Sequence, residues 1–192
     1  IKSGGTSAGA KAASSHTGSL AGGEVAYESA FARAGIIRCN SIMEQFDYAR
    51  AFANQPLPPG DSIAVITNAG GPGIMAADAI EKKNLTFAKI SEKTVDKLAE
   101  KLPPAANMYN PIDILGDALA DRYEYATRVA LQDDNVDAAI VLLTPQAMTQ
   151  ARETAEAIVK VSKEVPDKTV LCCFMGAAKV EEGVKILLEN GI

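Results

Sequence analysis

The chain has 192 residues, 47% of them hydrophobic and only 5% aromatic, with no tryptophan, so any core it builds is aliphatic and rich in alanine. A net charge of −5 without a long basic run argues against a nucleic-acid-binding surface. The longest uncharged stretches, such as residues 138–147, are too short and broken to span a bilayer, and no apolar signal segment stands at the N-terminus.

In chain order, the opening Ile1-Lys2 lacks an initiator methionine and reads as the end of a strand in a fragment of a longer protein. Residues 3–22 are mostly Gly, Ala, Ser and Thr, which predicts a long loop that packing cannot hold. Residues 24–34 have helical spacing and stop at Gly35. Residues 36–39 form a short strand candidate. Ser41 and Glu44 have the spacing of a capping box and open a helix that runs to about residue 53. Residues 55–60, Gln-Pro-Leu-Pro-Pro-Gly, read as a linker between a first domain over 1–54 and a second over 61–192.

The pattern then changes. Residues 62–67 are a β-branched apolar run, as in a buried parallel strand, followed by a tight turn over 68–73. A helix over 74–83 leads to a strand over 85–90 and to a helix from 92 to 102, capped by Ser91 and ended by Pro103-Pro104. A strand over 110–115 precedes a helix over 118–132, for which Asp117 is the natural N-cap. Strands over 138–143 and 169–174 alternate with helices over 150–163 and 178–190. This βαβ series implies an α/β fold, a flavodoxin-like doubly wound parallel sheet.

Ligands of such a sheet bind beyond the carboxyl ends of its strands. There Gly70, Gly71 and Gly73 can present backbone N–H groups at a helix N-terminus, although a tight turn needs the same glycines. Asp117 repels a dianion, which suits a cap better than a ligand. Thr144 and Gln146 either hydrogen-bond a ligand or close a turn. Cys39, Cys172 and Cys173 have no metal-ligand spacing and fit a reducing cytoplasm, and Cys172 and Cys173, in an apolar strand pattern, read as structural, buried thiols. No carboxylate pair and no HExxH, CxxC or GxSxG motif occurs. The single histidine, His16, lies among small residues in Ala12-Ala-Ser-Ser-His-Thr-Gly-Ser19. An unshielded imidazole can accept a phosphoryl group near neutral pH, with serine and threonine hydroxyls beside it to orient a ring nitrogen.

The Ser-His-Thr-Gly segment around His16, with Asn68-Ala-Gly-Gly-Pro-Gly73, Asn110-Pro-Ile-Asp-Ile-Leu-Gly-Asp117 and Leu142-Leu-Thr-Pro-Gln-Ala-Met148, resembles the NDP-forming acyl-CoA synthetases. These are the ADP-forming acetyl-CoA synthetases, akin to succinyl-CoA synthetase. The resemblance implies a succinyl-CoA synthetase-like ligase domain preceded by the end of a second such domain. It implies a ligase that interconverts acyl-CoA, ADP and phosphate with acid, ATP and CoA, with His16 as the phosphohistidine and Ser15, Thr17 and Gly18 around it. Facing the phosphohistidine it implies either Gly70, Gly71 and Gly73 or Gly116, Asp117 and Ala118, the second turn being favoured. CoA, ADP or ATP and magnesium would serve the full-length enzyme, mostly at sites outside this chain, so the fragment alone would be inactive. Implied partners are a CoA-binding domain and an ATP-grasp domain or subunit, an acyl substrate, and further copies in a homo-oligomer. The alternative is a non-catalytic, acyl-CoA-sensing regulatory domain of a protein acyltransferase.

Overall fold

A computed structural model of the chain describes residues 4–17 and 23–192. The chain divides into two compact units, Ile1–Arg50 and Ala51–Ile192.

The first unit holds α1 (Ser7–Thr17), α2 (Glu24–Ala34) and most of α3 (Ile42–Asn54), which crosses the division. The loop expected over 3–22 is therefore corrected: residues 7–17 are helical. Four alanines favour the helix, and the Thr6 hydroxyl accepts from the N–H of Gly9 at its start (3.1 Å). α2 stops where Gly35 turns left-handed, at φ 64°. The strand expected over 36–39 does not form. That stretch has no ladder partner among the described residues, and Ile36 and Ile37 remain exposed. The capping box holds in part. The N–H of Glu44 donates to Ser41 Oγ (3.0 Å), but the Glu44 carboxylate takes the N–H of Asn40 (2.6 Å), one residue earlier than the box requires.

The second unit is a five-stranded parallel sheet of β1 (Ser62–Thr67), β2 (Thr86–Phe87), β3 (Ile112–Asp113), β4 (Ala138–Leu143) and β5 (Thr169–Phe174). Its order is β2-β1-β4-β5, and β3 also pairs with β1. β2 lies along the first half of β1 (Ser62 opposite Thr86) and β3 along the second half (Ile66 opposite Ile112). The strands expected over 85–90 and 110–115 are thus two short halves of one edge. Counted as one, they give the 2-1-3-4 order that opens a flavodoxin-like sheet.

Asn110 closes the gap between the halves. Its Oδ1 accepts from the N–H of Val65 (2.8 Å), and its Nδ2 donates to the carbonyls of Ile63 (2.8 Å) and Ala88 (3.0 Å). One side-chain amide thereby does what a strand backbone would do there.

Alternation decides which face each strand residue enters. Ala64, Ile66, Ala139, Val141 and Val170 pack with α5 (Glu92–Lys101), α6 (Ala120–Leu131), α7 (Ala151–Glu164) and α8 (Glu181–Glu189) into the main core. Ile63, Val65 and Leu142 point to the opposite face, which α4 (Gly70–Lys82) covers through Ala76 and Ile80. Ser91 caps α5 as expected, accepting from the N–H of Thr94. Residues 55 and 56 of the expected linker are pinned to this unit. Gln55 accepts from the N–H of Val170 (3.0 Å) and donates to the carbonyl of Gly191 (2.5 Å), and the Thr169 hydroxyl donates to the carbonyl of Pro56 (2.6 Å).

Candidate functional site: a glycine-lined crevice beyond β1, β3 and β4

Connections leave β1 toward β2 and β3 on one side and reach β4 on the other, so the crevice of this sheet lies beyond the ends of β1 and β4. Asn68, only 2% exposed, ties the two ends together. Its Nδ2 donates to the carbonyl of Thr144 (2.8 Å) and its Oδ1 accepts the N–H of Thr144 (2.9 Å).

The tight turn expected over 68–73 is shorter than predicted, because α4 already begins at Gly70. Its N-cap, Ala69, has no side chain to accept the first N–H groups, which leaves the positive end of the helix open. The glycines here serve different ends. A Cβ on Gly73 would lie 3.0 Å from Thr67 Cγ2 and 3.3 Å from Pro111 Cβ, so Gly73 is needed for the close approach of α4 to the sheet. A Cβ on Gly71 would meet nothing within 4 Å, and one on Gly70 would meet only Asp113 Oδ2, at 3.5 Å. On Gly116 the nearest atoms would be the Asn68 carbonyl oxygen and Gln146 Cγ, both at 3.8 Å. None of these three has the left-handed backbone that favours glycine. Neither conformation nor packing requires glycine at 70, 71 or 116; what their bareness provides is access.

The structure thus brings the two predicted glycine turns to one crevice, with Gln146 beside them. The turn after β3 differs from expectation. α6 begins at Ala120 with Leu119 as N-cap, so Asp117 is not the cap. Its carboxylate instead accepts from Arg122 Nη1 (2.6 Å), and that bond holds it below the usual carboxylate range. Ala118 is buried in the main core. Leu115, at φ 71°, is left-handed, which costs a bulky residue about 1–3 kcal/mol. Asp113 Oδ1 accepts the N–H of Leu115 (2.9 Å). Arg122 and Asp113 are the crevice residues that sequence reasoning missed. Arg122 stands inside a helical pattern, and its reach back over the turn shows only in three dimensions.

Beyond β4, the N–H of Gln146 donates to the Thr149 hydroxyl (2.7 Å), so this loop does close a turn, while Thr144 Oγ1 is buried without a partner among the described residues. In the first unit His16 is exposed in the last turn of α1. The Ser15 hydroxyl donates to the Lys11 carbonyl (2.7 Å), so its proton serves the helix and not the imidazole. Thr17 ends α1, and Gly18 lies outside the described residues. The expected buried cysteine pair is corrected too. Burial pushes the Cys172 thiol well up, but Cys173 is exposed. Among the described residues no three His, Cys, Asp or Glu side chains gather as a metal ion would require, and no helix is long and apolar enough to cross a membrane.

A family profile described as the Ligase-CoA domain matches residues 63–192, and one described as the succinyl-CoA ligase like flavodoxin domain matches residues 1–52. The chain belongs to the Ligase-CoA domain family. It is 42% identical over its whole length to the acetate–CoA ligase [ADP-forming] I of Archaeoglobus fulgidus, of which it covers 27%. Subunit alpha of the Pyrococcus furiosus acetate–CoA ligase [ADP-forming] II is 43% identical and 42% covered. A solved structure, the dinucleotide-forming acetyl-coenzyme A synthetase 1 of Ca. Korarchaeum cryptofilum in complex with phosphate and ADP, matches with a TM-score of 0.92 at 37% identity, over the whole of this chain and 42% of that one. This Ligase-CoA chain therefore spans well under half the length of these relatives. They are the synthetases that its motifs resemble, and they lend the regulatory alternative no support.

Proposed function

We propose that the chain is part of an ADP-forming acyl-CoA synthetase whose His16 carries the phosphoryl group between acyl phosphate and ADP. The observation that carries this reading is the bare crevice: Gly70, Gly71 and Gly116 leave backbone accessible at the positive end of α4, where the fold has no need of glycine. The names of the relatives, acetate–CoA ligase [ADP-forming], supply the reaction.

In this reading acyl-CoA and phosphate first give acyl phosphate and CoA. A neutral nitrogen of His16 then attacks phosphorus. The N–P bond forms, the P–O bond to the acyl group breaks, and the carboxylate leaves with the electron pair. An oxygen of the ADP β-phosphate next attacks the same phosphorus, and the P–N electrons return to the imidazole. The free N–H groups at Gly70 and Gly71 stabilise charge on the phosphoryl oxygens. The first turn of α4 suits this task better than residues 116–118, because α4 begins at Gly70 itself whereas α6 starts only at Ala120, beyond those residues. Ser15, Thr17 and Gly18, the sequence neighbours of His16, belong in this reading to the same phosphohistidine segment. CoA, ADP and magnesium are assigned in this reading to the CoA-binding and ATP-grasp domains or a second subunit, as the resemblance implies. Free thiols suit a reducing cytoplasm, and the exposed Ile42, Met43 and Phe46 of α3 suit association with further domains or copies.

The test uses the complete enzyme that contains this sequence, incubated with magnesium and ATP labelled on its γ-phosphate. An acid-labile, base-stable label that His16→Asn abolishes is the expected result. Label that survives the substitution, or none in a folded enzyme that binds nucleotide, refutes the reading.

A further inference from the structure

We propose that Arg122 and Asp113 are positioning residues that lock the Ile114–Leu115 peptide against flipping and so hold Gly116 at the crevice. The functional consequence rests on the phosphoryl-transfer reading; the lock itself does not.

Leu115 is left-handed at φ 71°, where glycine would be at ease and leucine is strained, while neighbouring Gly116 has no such φ. The residue that could relax the turn stands one place away from where it would be needed. Strain of this kind persists only where the surroundings over-determine it.

The least disruptive way to relieve it is to rotate the Ile114–Leu115 peptide, which changes ψ of Ile114 and φ of Leu115 together and leaves the chain path nearly unchanged. Both ends of that peptide are held. Its carbonyl, on Ile114, accepts from Arg122 Nη1 (2.9 Å), and its N–H, on Leu115, donates to Asp113 Oδ1 (2.9 Å). A flip would exchange donor for acceptor at both ends and break both bonds at once. The same Nη1 also donates to Asp117 Oδ1 (2.6 Å), so Arg122 spans the turn from the residue before Leu115 to the second one after it.

On the upstream side the N–H of Ile114 donates to the Thr67 carbonyl (2.8 Å), which ties the turn to β1. The peptide that follows Leu115 leads into Gly116, whose bare face lies toward Gln146 and the Asn68 carbonyl. Neither Arg122 nor Asp113 needs to touch substrate to matter. They decide whether Gly116 stays where the crevice needs it, and misplacement of a positioning element by about 1 Å can cost about 10²-fold in rate.

The experiment compares Arg122→Gln, Leu115→Gly and their double variant in the complete enzyme. Two quantities are read: the rate at which labelled ATP phosphorylates His16, and hydrogen–deuterium exchange over residues 112–118. R122Q is expected to lower the rate about 10²-fold and to speed exchange in that segment. The double variant is expected to regain most of the rate, because glycine at 115 takes the left-handed turn without strain and no longer needs the lock. Leu115→Asn, which tolerates the same conformation, replaces L115G if that variant does not fold. An R122Q enzyme of normal rate and exchange overturns the proposal. So does a folded double variant that stays as slow as R122Q, which would mean that Arg122 acts on the phosphoryl group directly. An unaltered enzyme that takes no label on His16 defeats the phosphoryl-transfer reading instead, and exchange in R122Q still decides the lock.

Discussion

Replacing Asn110 with alanine removes three hydrogen bonds; the Ile63 carbonyl still accepts the N–H of Ala88 (2.9 Å), but the N–H of Val65 and the carbonyl of Ala88 are left buried without a substitute. A buried polar group left unpaired costs about 1–3 kcal/mol. Neighbouring groups share part of the loss, so N110A should destabilise the second unit by about 2–5 kcal/mol in total. Domains have stabilities on the order of 5–15 kcal/mol, so the variant should sit near the edge of unfolding at room temperature. Urea unfolding followed by far-ultraviolet circular dichroism measures this as a fall in the midpoint at unchanged slope. Asn110→Asp sharpens the test. It keeps the acceptor for Val65 but turns an oxygen toward two carbonyls, so it should be at least as damaging at neutral pH. A carboxyl that the fold prefers protonated gives stability at low pH and loses it as pH rises, so N110D should recover on acidification. A loss below about 1 kcal/mol in N110A, or an N110D variant as stable as the parent at neutral pH, would refute the reasoning.

Gly71→Ala is expected to raise stability by roughly 0.5–1 kcal/mol, since alanine is the better helix former and its Cβ meets nothing, yet to slow labelling of His16 about tenfold. Gly73→Ala should instead cost about 1–3 kcal/mol, as its Cβ presses on Thr67 and Pro111; thermal melts of both variants check the contrast. Burial alone would raise Asp133, but the N–H groups of Asn135 and Ser91 and the Ser91 hydroxyl outweigh it and hold the carboxyl below its usual range. Stability from a depressed carboxyl is present above its unfolded-state pKa and lost as pH falls through the folded-state value. Asp133→Asn should therefore melt lower than the parent at neutral pH and match it in strong acid. Glu124 accepts from Arg128 (2.6 Å) and Lys160 (2.7 Å) at the surface, so Glu124→Gln should cost less than about 1 kcal/mol, and less still in high salt, as urea midpoints at two ionic strengths will show.

The three longest strands are legible. β1, β4 and β5 are largely apolar runs, and their bounds follow from the sequence alone, although only β1 and β4 are buried on both faces. β2 and β3 are not legible, because their length is set by Asn110 wedging between them, a tertiary contact that periodicity cannot carry. In the first unit, small residues predict a loop, yet four alanines between positions 8 and 13 with Thr6 at the start suffice for α1. Residues 36–39 have strand composition, but among the described residues no strand pairs with them. In the crevice, the glycines that matter were visible as residue types. Which of them the fold requires was not, since Gly71 and Gly73 stand two places apart in one turn and only Gly73 faces the sheet. Asp117 met every rule for an N-cap and was drawn away by Arg122, from a helix whose start lies two residues later than expected.

The composite edge has a practical consequence for engineering. Between Ala88 and Asn110 the chain leaves the sheet, builds α5 and returns, and a single side chain closes the gap it leaves. The length of that excursion is therefore uncoupled from the register of the sheet. Only the exposed Pro104-Ala105 step of the loop after α5 is free for this, because Ala106 is buried and Asn107 pairs with Asp113 just beyond it. Residues added there meet chiefly the slowly growing entropy of a longer loop, which makes that step a natural insertion point for a reporter or an affinity handle.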